Sequence, residues 1–422
     1  MLNSVSCGMI LHLSTFQWEG GAAVAASRLN QALRHHGVDS QLLVHRAQKP
    51  TDGVTAWVNS DWDQKLFWAR FAAERLAFLP YEKDKIVRFA FSPAAVGVPI
   101  EQHPLVQQAD IINLHWINFG FLSLAGLERL FALGKPIVWM LHDMWAFTGG
   151  CHYSRGCEHF RTHCGYCPYL ARPGTYDLSF EIFEQKKALF AQTPVTFVAP
   201  SQWLADLTQQ AALTARFPIH RIPYPIDTTL FTPQSKIELR KKMGLPLDKK
   251  LILFAGANTQ DPRKGYLYFR EAVNQLAGIQ DDAEVLVFGK SNADAYRDIA
   301  RPVHDLGKLS DLTQIAEAYA AADVMVVPSL EDNLPNTVLE AMASGTPVVG
   351  FDIGGIPDMI DHQLNGYVAT YRSAESLARG IEWVVQHDAQ GEVSAQARQK
   401  VLDTYSEEIV ARQYQKLYQS LL

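Results

Sequence analysis

Cysteine is scarce in this chain, five in 422 residues, and four of the five crowd between Cys151 and Cys167. That distribution excludes a disulfide scaffold and points to local chemistry or a metal. No apolar run approaches the length of a membrane span. The start, Met1 to Cys7, lacks the basic region and long apolar core of a signal peptide, so the expected address is the cytoplasm. Positive charge is in deficit: 38 Lys and Arg stand against 44 Asp and Glu, a formal net charge of −6. Without a basic face to neutralise phosphates, nucleic acid is not expected as a partner. Two glycine signatures are missing as well. No Gly-x-Gly triplet occurs, which weighs against a dinucleotide oxidoreductase, and Gly289-Lys290-Ser291 has Glu284 where a P-loop needs its first glycine.

What is present has the balance of a globular enzyme, 48% hydrophobic and 19% charged. The length calls for two domains rather than one core. Met9 to Ser14 reads as a buried strand, Gly20-Gly21 opens an alanine-rich helix to about His36, and Gln41 to Val44 reads as a second strand, the start of a βαβ series. Gly20 and Gly21 let a backbone loop come close to a ligand or to the opposite domain. Strands at 111–115, 136–141 and from 197 alternate with helix-like stretches, the pattern of a doubly wound parallel sheet. Prolines then become dense at Pro223 and Pro225. A second α/β series begins at Lys250, with strands at 284–288 and 323–327, and Ala374 to Leu422 reads as amphipathic helix with Tyr405, Ile409, Tyr414 and Leu417 on its buried face. The expected domains are 1–225, carrying a Cys-rich insertion at 148–168, and 226–400, followed by a helix at 401–422 that packs back toward the first domain.

The stretch Pro328 to Asp358 carries the densest signal. The apolar run Val324 to Val327 ends at Pro328 in a loop, and a helix follows. Pro335 suits its first position and Gly345 the left-handed turn at its end. The N-terminal N–H groups of such a helix attract an anion, with Asn336 and Thr337 riding beside them. Asp332 precedes the helix and Glu340 lies about one and a half turns inside it, roughly 10 Å apart along the backbone. Two carboxylates flanking an anion site suit a long ligand with hydroxyls at both ends and phosphates in the middle, and a nucleotide sugar is one. The bland reading is a pair of solvated acids. Earlier in the same domain, Arg263-Lys264-Gly265 follows a strand that ends near Gly256. Arg263 can fork onto diphosphate oxygens and Lys264 adds a point charge, unless the pair is a solvated basic turn.

Three further features keep two readings each. His142 follows the strand at 136–141, where ligands sit in such sheets, and is a ligand contact or a packed core histidine. Cys151, Cys157, Cys164 and Cys167, with His152, His159 and His163 interleaved, bind a tetrahedral structural zinc or are reduced thiols in a loop. Residues 63–79 show helical periodicity through Phe67, Trp68, Phe71, Arg75 and Phe78. That face packs in the core, or with Lys65 and Arg70 it meets a membrane surface or lipid acceptor.

Taken together these residues resemble the retaining glycosyltransferases of family 4. The resemblance is carried by Gly20-Gly21, Val198-Ala199-Pro200-Ser201, Ile222-Pro223, Ile226-Asp227, Phe231-x-Pro233, Arg263-Lys264-Gly265, and by Pro328-Ser329 through Glu340 to Val349. A narrower likeness to the colanic-acid-type enzymes of bacterial surface polysaccharide rests on three segments. These are Asn113-Leu114-His115-Trp116, His142-Asp143-Met144-Trp145 with Gly149 to Tyr153, and Asp332-Asn333-Leu334-Pro335-Asn336. The resemblance implies an α/β fold of the GT-B type: two facing Rossmann-like doubly wound parallel-sheet domains with the ligand cleft between them. It implies a nucleotide-sugar donor and a glycan or lipid-linked acceptor in exopolysaccharide, capsule or O-antigen synthesis. No cofactor is expected for catalysis; the cysteine spacing allows a structural zinc, and the aromatic helix allows peripheral contact with the inner face of the membrane. In the family's Glu-x7-Glu pair the first acid touches the donor sugar and the second the ribose. Glu340 matches the second and Asp332 stands at the first, with Glu331 beside it. Lys264 matches the family lysine, His142 the N-domain histidine near the transferred sugar, and Asn333 to Asn336 the donor loop. Ala257 stands where the family commonly has arginine. The alternatives are a nucleotide-sugar epimerase or phosphorylase on the same fold, or a degenerate assembly partner.

Overall fold

The computed structural model describes residues 8–258, 261–279, 282–290 and 296–422. The leader reading of Met1 to Cys7, and Ser291 of the P-loop comparison, lie outside the described residues, as does the side chain of Ala257. The chain divides into two compact units, Met1–Ile222 with Ala411–Leu422, and Pro223–Val410.

The first unit is built on seven parallel strands: β1 (Ile10–Phe16), β2 (Ser40–Arg46), β3 (Val54–Ala56), β4 (Ile111–Leu114), β5 (Ile137–Met140), β6 (Val195–Ala199) and β7 (Ile219–Arg221). They lie in the order β3-β2-β1-β4-β5-β6-β7. Every residue of β4, β5 and β6 is buried, as a parallel sheet covered on both faces requires. The order reverses between β1 and β4, whose registers place His12 beside Asn113. In a doubly wound sheet the crevice at such a reversal receives the ligand.

The second unit repeats the plan with six strands: β8 (Lys250–Asn258), β9 (Ala283–Lys290), β10 (Val303–Asp305), β11 (Val324–Val327), β12 (Val348–Phe351) and β13 (Gly366–Ala369). Their order is β10-β9-β8-β11-β12-β13, again all parallel, and the reversal falls between β8 and β11.

One expectation is corrected, and of two readings of the aromatic helix the core-packing one holds for its inner face. The C-terminal stretch is three helices, Ala374–His387, Glu392–Thr404 and Glu407–Gln419. Gly391, at φ 77°, caps the second and ends any continuous run. Tyr405, Tyr414 and Leu417 are buried, while Ile409 is half-buried and Val410 takes the inward position. The aromatic helix is Asp61–Phe78, and its Phe67 and Phe78 are core residues. Phe67 therefore cannot face a membrane. Glu74 on the same helix is fully buried, and its carboxylate accepts N–H bonds from Ala94, Ala95 and Val96. Trp62 and Trp68 point outward, 66% and 50% exposed. No helix among the described residues is long and apolar enough to cross a membrane.

Candidate functional site

In the second unit, β8 leads into a short turn, Pro262–Lys264, capped by the Asp261 carboxylate, which accepts from the Arg263 N–H at 3.0 Å and pairs with its guanidinium at 2.8 Å. β11 leads into the Pro328–Pro335 loop. The two connections, which flank the strand-order reversal, are fastened to each other. Leu330 N–H donates to the Arg263 carbonyl at 2.7 Å. A Cβ on Gly265 would stand 1.9 Å from the Pro328 carbonyl oxygen, so only glycine permits this approach. Across the junction the Lys264 ammonium donates to Asp332 Oδ2 at 2.6 Å, and Ser329 Oγ donates to the same oxygen at 3.2 Å. The Asp332 backbone is held from the other side by Gly354, where a Cβ would meet the Asp332 carbonyl oxygen at 1.8 Å.

The helix that follows is Asn336–Ala343, with Pro335 at its cap rather than inside its first turn. A proline with φ −67° and ψ 121° starts the helix without blocking its N–H groups by a capping side chain. Gly345, at φ 78°, closes the other end as expected. Asn333 and Leu334 are buried beneath the loop, and Asn336 is half-buried. Glu340 is 8% exposed. Its Oε2 accepts from the Tyr319 hydroxyl at 2.8 Å, and Tyr319 is fixed in turn because Thr346 Oγ1 donates to its carbonyl. The structure thus brings Arg263, Lys264, Asp332 and the helix start to one edge of the sheet and sinks Glu340 behind them.

In the first unit Gly20 and Gly21 lie just beyond β1. Gly20 has φ 90° and caps the helix Gly21–His35 without a side chain, and both glycines are exposed. His142 follows β5 and is 8% exposed. Sequence reasoning missed the array to which it belongs. His12 Nδ1 lies 2.9 Å from His115 Nε2, and His115 Nδ1 lies 3.0 Å from His142 Nε2, so three rings run from β1 past β4 to β5. A recurring pattern held the signal, since each histidine sits in or directly after a buried apolar run. Burial holds His12 down to about 3 and His142 to about 4. His115 is pushed well below its usual value by burial and by the two neighbouring rings. All three are neutral near pH 7.

A neutral His115 has one N–H, so the two hydrogen bonds must run in the same sense. His12 Nε2 is buried with no hydrogen-bond partner, and a buried lone pair costs less there than an unmade N–H. The proton order is then His12 Nδ1–H to His115 Nε2, and His115 Nδ1–H to His142 Nε2. That leaves the His142 proton on Nδ1, which makes the ring a donor through that nitrogen.

Next to His142, Asp143 accepts from Trp145 N–H, from the Trp116 indole at 3.1 Å and from His152 Nδ1 at 2.6 Å. Burial alone would raise the Asp143 carboxyl, but His152 and the Trp145 amide hold it below the ordinary carboxylate value. Ser92 fixes the far side of the His152 ring at 2.8 Å.

The histidine array gives a pH dependence with a definite sign. Folded-state values below the unfolded value of 6.5 mean that the unfolded chain binds more protons on acidification. The stability contributed by the neutral rings is complete above pH 6.5 and is lost progressively as pH falls toward about 4. A melting temperature that declines across this interval is expected. A flat profile, or one that rises, would contradict the neutral assignment.

Two Rossmann-like parallel sheets, each with an order reversal, are the architecture of the GT-B fold. HepE from Anabaena, solved with UDP and with UDP-glucose, matches 98% of this chain and 100% of its own with TM-score 0.65 at 16% identity. Residues 19–230 match the model for Glycosyltransferase Family 4, and residues 249–387 that for Glycosyl transferases group 1. The chain belongs to glycosyltransferase family 4. It is 29% identical over 204 residues to an uncharacterized glycosyltransferase of Methanocaldococcus jannaschii, covering 46% of this chain and 51% of that protein. To the putative colanic acid biosynthesis glycosyl transferase WcaC of Escherichia coli it is 24% identical over 327 residues, covering 75% and 77%. The chain thus spans about half the length of the first relative and three quarters of the second.

Proposed function

We propose that the chain transfers a sugar from a nucleoside-diphosphate sugar, with retention at the anomeric carbon, to a glycan or lipid-linked oligosaccharide in surface polysaccharide assembly. The observation that carries this reading is the Lys264–Asp332 pair at the β8/β11 reversal, beside the start of the helix Asn336–Ala343. Lys264, Arg263 and the helix N–H groups offer positive charge where a departing diphosphate develops negative charge. Asp332 sets the Lys264 ammonium and stands for the sugar hydroxyls, with Glu331 as its neighbour. Glu340 takes the ribose. His142, held neutral by burial, suits a hydroxyl oxygen of the transferred sugar. The acceptor hydroxyl attacks from the leaving-group face, and a diphosphate oxygen receives its proton. WcaC, named for colanic acid biosynthesis, supports the polysaccharide setting.

A lipid-linked acceptor would bring the enzyme to the inner membrane surface, and the exposed Trp62 and Trp68 suit that contact. The test is a reconstituted assay with UDP- and GDP-sugars and lipid-linked acceptor in vesicles, read by NMR of the product anomer. Transfer with retention is expected, together with vesicle binding that weakens in Trp62→Ser/Trp68→Ser. An inverted product, or donor turnover that needs no acceptor, would overturn the reading.

A further inference from the structure

We propose that Cys151, Cys157, Cys164 and Cys167 form a four-thiolate site for one structural zinc ion. All four line a single cavity of about 20 Å³. Two of the interleaved histidines are committed elsewhere. His152 is held by Asp143 and Ser92, and His163 by Glu184 and the Cys164 carbonyl. His159 also lines the cavity, and with its Nδ1 on the Gly165 carbonyl its Nε2 competes with the thiols for a place. Four thiols are enough for a complete tetrahedral shell, and thiols select a soft ion.

Burial pushes the Cys151, Cys164 and Cys167 thiols up to about 12, and the Gly149 N–H donates to Cys164 Sγ at 3.2 Å. Gly149 is obligatory, because a Cβ there would meet the Ser179 carbonyl oxygen at 2.3 Å. The Cys164–Cys167 turn holds Tyr166 at φ 49°, a costly conformation for a side-chain-bearing residue, and the Asp177 carboxylate pins it by accepting from the Cys167 N–H. Lys186 is buried in the same region, bonded to the Trp145 and Thr148 carbonyls, and burial lowers its amine to about 7.

Among the described residues no three His, Cys, Asp or Glu side chains already stand at metal-binding distance. The sulfurs ring the cavity, and binding draws them inward from it. Cys151, Cys157 and Cys164 are half-buried and Cys167 is buried. The site's consequence for the first unit is local. It fastens Cys151 and His152, and through His152 the Asp143 carboxylate next to His142.

The experiment uses the full chain purified without chelator. Elemental analysis after gel filtration is expected to find about one zinc per chain, released by an organomercurial in step with thiol modification. Cobalt exchanged into the site should show thiolate-to-cobalt charge transfer and the intense d–d absorption of tetrahedral coordination. Denatured without reductant but with chelator, all five cysteines should titrate as thiols. Cys157→Ser should fold, by circular dichroism, with reduced zinc retention. If that variant does not fold, the cobalt spectrum of the native chain decides. Native protein without stoichiometric zinc and without a cobalt–thiolate band would overturn the site, as would fewer than five thiols or iron with acid-labile sulfide.

Discussion

Lys264→Ala is expected to lower kcat/KM for sugar transfer by about 10²–10³-fold, the scale seen when one preorganised donor to a developing negative charge is removed. The reasoning is geometric. Lys264 is anchored at its backbone by the Asp261 turn and at its ammonium by Asp332, so its charge needs little rearrangement to act on a diphosphate. The loss should fall mainly on kcat, because the charge on the leaving group grows as the glycosidic bond breaks. Lys264→Arg keeps the charge but not the compact point donor, and should recover only part of the rate. Stability should change little, since the Lys264 side chain is one-third exposed and its ion pair is screened. Rates within a few fold of the native enzyme in Lys264→Ala would remove the diphosphate contact from this loop.

Glu340→Ala has the second largest expected effect and a different signature. The carboxylate is 8% exposed and accepts from the Tyr319 hydroxyl. If Glu340 holds the ribose as proposed, truncation removes a charged hydrogen bond, about 1.5–3 kcal/mol or roughly 10–150-fold in donor affinity. It also deletes the Glu340 acceptor of the buried Tyr319 hydroxyl, an expected cost of about 1–3 kcal/mol of folding stability. Glu340→Gln separates the two effects. Its amide oxygen still accepts from Tyr319, so stability should return while donor affinity, measured by calorimetry, stays low. If Glu340→Gln binds donor as well as the native chain does, the ribose assignment fails and Glu340 is a structural residue only.

Much of the fold was legible because long buried strands announce themselves. The runs ending at Leu114, Met140, Ala199 and Val327 are apolar at almost every position, which only a sheet covered on both faces needs. Edge strands were not legible: β3, β7 and β10 have three residues each, too short for a period to show. The C-terminal helices merged into one because their apolar positions continue across the break at Gly391. Of the candidate site, the Pro328 to Gly345 loop and helix could be read in detail, since proline, glycine and the acid spacing are local facts.

The sequence by itself determined the two α/β repeats, the family, the loops that bear Lys264, Asp332 and Glu340, and the clustering of four cysteines. These depend on neighbours along the chain. Only the tertiary structure decided that Lys264 reaches Asp332 across 68 positions, that Tyr319 holds Glu340, and that His12 and His115 stand in line with His142. Likewise it alone put the four sulfurs around one cavity and turned Phe67 inward while leaving Trp68 outside. The physical reason is common to all of these. Each depends on the order in which parallel strands are laid side by side and on their register, and that order is set by the packing of whole sheets and helices, which no local run of residues records.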